Sequence, residues 1–115
     1  MTVLTSQALR RSDLDLVDLA PADLDRLYAL HEALHRDPEQ SGLFVHETRD
    51  FFERHLRDQG RVLGLIANGD GLVGYSVLGL PDAADPGNFG HDIGLPLVDL
   101  ARVAHLDGTG LRSAW

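Results

Sequence analysis

Three polar residues alternate near the end of this chain: His105, Asp107 and Thr109, within Val103-Ala104-His105-Leu106-Asp107-Gly108-Thr109-Gly110-Leu111. As a strand, this segment puts the three on one face and Ala104, Leu106, Gly108 and Gly110 on the other, because strand side chains alternate with a period of two. Histidine titrates near neutrality and suits taking a proton from an ammonium group through water, so the triplet is a candidate catalytic set. The competing reading is structural, a His105 held by Asp107 or by a backbone carbonyl.

A second constellation is His31-Glu32-Ala33-Leu34-His35, which spells H-E-x-x-H. On a helix the two imidazoles lie one turn apart and can share Zn²⁺ while Glu32 polarises its water, the chemistry of a zinc hydrolase. A metzincin continuation needs Gly and His where this chain has Pro38 and Ser41, and a third ligand from Glu47 or Glu53 has no compelling spacing. His31 also lies beside the apolar stripe of Leu24, Leu27 and Leu34, which favours a structural histidine. No metal is expected. A third string, Gly69-Asp70-Gly71-Leu72-Val73-Gly74, spells G-x-G-x-x-G but is expected to be a turn. A dinucleotide site needs a helix to start there, and the sequence continues as a strand.

The elements that must position these residues are readable from periodicity. Leu14, Leu16, Val17 and Leu19 suggest a first strand, and Ala20-Pro21-Ala22-Asp23 a helix start with Pro in its first turn. That helix runs to Arg36 on the apolar positions Leu24, Leu27, Leu30 and Leu34, and Asp37-Pro38 ends it. After a loop from Glu39 to Val45, a second helix fits Glu47 to Asp58, with Phe51, Phe52, His55 and Leu56 toward the core and Gly60 as a C-cap. Val62 to Ala67 and Leu72 to Leu80 form a hairpin through Asn68-Gly69-Asp70-Gly71. Pro81 to Pro96 is a long Gly/Pro/Asp-rich loop of the kind that carries function. A short helical turn after Pro96 and a strand over Val103 to Leu111 complete the order. The expected fold class is α+β, a mainly antiparallel sheet of about four strands with two N-terminal helices, in a single domain over residues 1–115.

Composition removes whole classes of chemistry. The chain has 115 residues, 43% of them hydrophobic, enough for one core. Cysteine is absent, which excludes disulfides, thiol nucleophiles and thiolate metal sites. All ten basic residues are arginine, so Schiff-base chemistry, pyridoxal phosphate attachment and a Walker A lysine are excluded too. A formal charge of -8 opposes nucleic acid and favours cationic partners. No apolar run has membrane-spanning length and the first residues lack a signal-peptide layout, so no membrane association and a cytoplasmic location are expected.

Residues Val103 to Trp115, with Gly71-Leu72-Val73-Gly74-Tyr75, resemble the GNAT superfamily of N-acetyltransferases. In that family such a terminal strand, apolar where Leu111 stands and aromatic where Trp115 stands, runs into an Arg/Gln-x-x-Gly-x-Gly/Ala loop that opens a helix. Gly71 to Tyr75 is similar to the family's recurring third strand. Ala104-His105-Leu106 corresponds to an A-E-L pattern whose carboxylate is often the general base. The resemblance implies an N-acetyltransferase moving an acetyl group from acetyl-CoA, as co-substrate, to a small-molecule or peptide amine. It implies catalytic roles for His105, Asp107 and Thr109. It places Leu111, Arg112 and Ser113 where backbone amides meet the acyl carbonyl and pantetheine, Ser113 standing where the family usually has Pro. The pyrophosphate loop itself does not appear before Trp115, so these residues amount to the N-terminal, acceptor-side part. Alone the chain is expected to be inactive, to bind CoA weakly, and either to associate through Val103 to Leu111, with a second copy or a complementing C-terminal half, or to leave that segment poorly ordered. A non-enzymatic module associating through an exposed strand is the alternative to catalysis.

Overall fold

Each element forms where local chemistry favours it. The computed structural model describes residues 13–39, 42 and 45–112; Ser113, Trp115 and part of the loop between the helices lie outside them. Strand β1 covers Leu14–Asp18 and is followed by a 3-10 turn, Pro21–Asp23. The Asp23 carboxylate accepts from the Ala20 amide at 2.7 Å, satisfying one of the donors a helix start leaves open. Helix α1, Leu24–Arg36, ends where Asp37 turns extended before Pro38. Helix α2 is Arg49–Arg57, shorter than expected, because Thr48 caps it by accepting from the Phe51 amide at 3.2 Å.

The hairpin is β2, Gly60–Ala67, and β3, Gly71–Gly79. Its turn uses Gly69 at φ +83 and Gly71 at φ +70, a region that L side chains rarely adopt. A strand, and no helix, follows G-x-G-x-x-G. Gly60 is not the helix cap it was expected to be: it opens β2, where a Cβ would collide with the Leu78 carbonyl. A short helix, α3 (Leu97–Leu100), precedes strand β4, His105–Leu111.

The protein is α+β, with one antiparallel sheet in the order β1-β2-β3-β4 and three helices. The order strand, two helices, hairpin, loop with a helical turn, strand is the one expected from sequence. Leu27, Leu30 and Leu34 of α1 and Phe52 and Leu56 of α2 pack on Val62, Tyr75 and Val77, which share one sheet face. Burying side chains of this size contributes about 1.5–3 kcal/mol each. The opposite face is open among the described residues: Leu16 is 70% exposed, Leu106 69% and Leu111 41%. No helix among these residues is long and apolar enough to cross a membrane.

Candidate functional site

The pairing of β4 with β3 decides where the polar triplet points. His105 pairs with Gly79 and Leu106 with Leu78, but the next residue in register is Gly108, opposite Val77. Asp107 is therefore bulged out of the ladder, and alternation restarts one residue late. His105 and Asp107 both face the helices. Thr109 pairs with Ser76 and places its hydroxyl 3.3 Å from the Ser76 hydroxyl, on the face away from the helices. The expectation of one shared face is thus corrected: a bulge inverts every side chain beyond it.

Asp107 meets a residue that the terminal strand gives no hint of. Its Oδ2 lies 2.8 Å from His55 Nε2, and His55 Nδ1 lies 2.7 Å from the Phe51 carbonyl oxygen. A carbonyl only accepts, so Nδ1 carries a proton, and the 2.8 Å contact beyond it requires another proton shared between ring and carboxylate. The ring is held on both sides. Among the described residues no hydrogen bond engages Asp107 Oδ1, and the side chain is 28% exposed. Gly79 makes room for this pair, since a Cβ there would overlap the Asp107 carboxylate.

Two hollows meet at Asp107. The larger, about 460 Å³, is walled by Arg54, His55, Asp82, Asp85, His105 and Asp107 among others. His105 borders it but is already occupied: its Nε2 accepts from the Phe89 amide at 3.2 Å and its ring stacks on Phe89 at 4.1 Å. The loop from Pro81 to Pro96 is thereby fastened to β4. Asn88 fixes the same loop from inside, donating to the Asp82 and Leu100 carbonyls at 3.1 and 2.8 Å and accepting from the Gly90 amide at 2.9 Å. The smaller hollow, about 140 Å³, lies between α2 and β3–β4 and is bordered by His31, Glu47, Phe51, Phe52, Tyr75 and Asp107, with Thr109 at its rim.

The H-E-x-x-H residues form a packed unit instead. His31 is 1% exposed; its Nε2 accepts from the Glu47 amide at 2.9 Å, so its proton sits on Nδ1 and goes to the Tyr75 oxygen at 2.8 Å. Burial above all, with the neighbouring His46, pushes its pKa below the usual histidine value, so the ring stays neutral. Glu32 is bound to His46 at 3.1 Å, and hydrogen bonding from Tyr28 and His46 holds its carboxyl below the usual range. His35 stacks on His46 at 4.1 Å. A zinc ion at His31 would have to displace the Glu47 amide from Nε2 or the Tyr75 hydroxyl from Nδ1. Among the described residues no group of three or more His, Cys, Asp or Glu is placed to hold a metal.

Of the remaining expected site residues, Leu111 lies on the open face beside Leu16, Leu63 and Leu65, and the Arg112 amide donates to the Val73 carbonyl at 2.9 Å. Ser113 lies outside the described residues. Sequence reasoning missed His55, Tyr75 and Asn88 as parts of the site. The aromatic-histidine stripe of α2 was visible, but its partner stands 52 positions away. Comparison with protein-family models, with curated proteins and with solved structures gives no match.

Proposed function

We propose that these residues form the acceptor side of an acyl-CoA-dependent N-acyltransferase, with Asp107 as the group that receives the amine. The observation that carries this reading is the position of Asp107, bulged from β4 at the junction of two hollows, one oxygen fixed by His55 and the other unengaged by any described residue. An ammonium must lose one proton before it attacks the thioester carbonyl and a second as the C–N bond forms. The C–S bond then breaks; one of the two protons ends on the thiolate and the other in solvent. Asp107 orients the nitrogen and takes up a proton, and His55 is its positioning residue. His105 passes from candidate base to loop anchor, because its Nε2 lone pair is spent on Phe89. Thr109 has no role in this step.

The co-substrate is acetyl-CoA. Leu111 would present its amide to its acyl end, whereas the Arg112 amide is already given to the Val73 carbonyl, and the diphosphate needs an Arg/Gln-x-x-Gly-x-Gly/Ala loop, which residues 1–115 do not contain. The test uses the chain lengthened past Trp115 by an Arg/Gln-x-x-Gly-x-Gly/Ala loop and the helix it opens. Release of CoA thiol with a panel of primary amines supports the reading. A lengthened protein that binds CoA yet acetylates no amine contradicts it.

A second reading, a module that associates through an exposed strand, is favoured by β4 standing at the sheet edge and by the apolar face of Leu16, Leu106 and Leu111. Sedimentation together with CoA affinity separates the two: a concentration-dependent dimer abolished by Leu106→Lys, in a protein whose lengthened form binds no CoA, belongs to the module.

A further inference from the structure

We propose that the smaller hollow is a binding site for a primary ammonium carried on a single ring or a short aliphatic stem, and that it excludes polyamines and peptide lysines. This rests on the reading of Asp107 as the acceptor-side carboxylate and narrows it to one substrate class. Three aromatic side chains, Phe51, Phe52 and Tyr75, frame the hollow together with Val77. Phe52 packs edge-on against both Phe51 and Tyr75, at centroid distances of 5.2 and 5.7 Å, so a rigid apolar wall is already in place. The charges are one-sided. Among the described residues, Glu47 brings an unpaired carboxylate and Asp107 the oxygen that His55 leaves open, no arginine borders the space, and His31 is neutral with both ring nitrogens in use. A cation meets the Glu47 carboxylate, the open oxygen of the Asp107–His55 pair and aromatic faces there, whereas an anion meets the repulsion of Glu47.

Tyr75, which borders the same space, adds a polar group beside His31. It is 6% exposed, and because His31 Nδ1 donates to its oxygen, the hydroxyl proton is not given to any described residue. Burial, with the charge of Glu47 nearby, pushes this hydroxyl up to about 12, so it stays protonated while the carboxylates supply the charge. Size sets the stem. A volume of about 140 Å³ is close to the roughly 150 Å³ that holds one benzene ring, and leaves no room for a second amine-bearing arm. The ring or alkyl chain lies along Phe51, Phe52 and Val77, with the nitrogen at Asp107, the residue this hollow shares with the larger one.

The test is calorimetric and NMR titration of the 115-residue chain with benzylammonium, butylammonium, benzyl alcohol, spermidine and a lysine-containing peptide, without acetyl-CoA. Benzylammonium is expected to bind and to shift the Phe51, Phe52 and Tyr75 rings. Asp107→Asn should weaken it by about tenfold or more, the scale of a lost charge-assisted hydrogen bond, and Glu47→Gln by less. Benzyl alcohol should bind at least tenfold more weakly on the same ground. Circular dichroism of each variant confirms that its fold is kept, and Glu47→Gln tests the charge independently should Asp107→Asn unfold. Equal binding of benzyl alcohol, tighter binding of spermidine or the peptide, or indifference to both substitutions overturns the proposal. Because no acyl transfer is measured, ammonium binding by a protein whose lengthened form acetylates nothing refutes the acyltransferase alone. Acetylation confined to peptide lysines refutes the small-amine site alone.

Discussion

His31 and His55 sit on successive helices, both buried and both hydrogen-bonded at each ring nitrogen, yet they do opposite work. His31 belongs to a conspicuous string, H-E-x-x-H, and proves to be a piece of the core: neutral, packed at a tilt against Phe52 at 4.8 Å, and joining α1 to β3 and to the entry of α2. His55 belongs to no string at all. Its partner is a carboxylate on a bulge, and the two share a proton at the wall of an open hollow. A motif reports neighbours in sequence, while chemistry depends on what tertiary pairing delivers.

The largest effect that would break this comparison is on stability. His31→Ala is expected to destabilise the fold by about 3 kcal/mol in urea denaturation, through the lost packing and the two polar groups left without their partner. His55→Ala, at the edge of the core, should cost about half of that. Equal losses would erase the distinction between a structural and a site histidine.

Gly79→Ala is next, at about 1–3 kcal/mol, because the new methyl overlaps the Asp107 carboxylate and must push it off His55. The side-chain ¹⁵N shift of His55 Nε2 should change with it while that of His31 Nε2 stays. A His55 resonance identical to the parent's would mean the bulge is not tight around the pair.

The pH dependence follows from His31. Its folded pKa is depressed, so below the ordinary value of 6.5 the unfolded chain binds a proton that the folded chain refuses. Stability therefore falls as pH drops from 6.5 toward the depressed value, by at most about 1.4 kcal/mol per pH unit, and levels off below it. Tyr75 acts at the other end: the folded hydroxyl keeps its proton up to about 12, so stability falls as pH rises from 10. Denaturation midpoints across both ranges check the signs, and His31→Phe should remove only the acid limb.

The smallest effect concerns the loop. His105→Ala should cost less than about 1 kcal/mol, since an exposed, single hydrogen bond is lost, but it should remove hydrogen-exchange protection at the Phe89 amide. Unchanged protection would free His105 to return as a candidate base.

How much of this was legible in the sequence varies with the range of the interaction. The hairpin could be read because Asn68 to Gly71 encode a turn locally, and α1 because leucines at 24, 27, 30 and 34 recur with the helix itself. The end of α1 at Asp37-Pro38 is equally local. The bulge could not be read, since nothing in Leu106-Asp107-Gly108 states which residue of β3 each will face. That single unpaired residue turned Thr109 away and brought Asp107 to His55, so the candidate set kept Asp107, changed the role of His105 and gained a partner. The open face was hidden for the same reason: Leu16 and Leu106 look like core residues until the layer that would cover them is sought among the described elements.

The central claim is that Asp107, held by His55 at the bulge, receives the amine. Its most direct test is the steady-state rate of acetyl transfer in the lengthened chain for Asp107→Asn and His105→Ala, at saturating amine. Asp107→Asn is predicted to lower kcat by about 100-fold or more with the acetyl-CoA KM unchanged, and His105→Ala by less than about tenfold. An Asp107→Asn protein with parental kcat, or a loss confined to His105→Ala, would contradict the account.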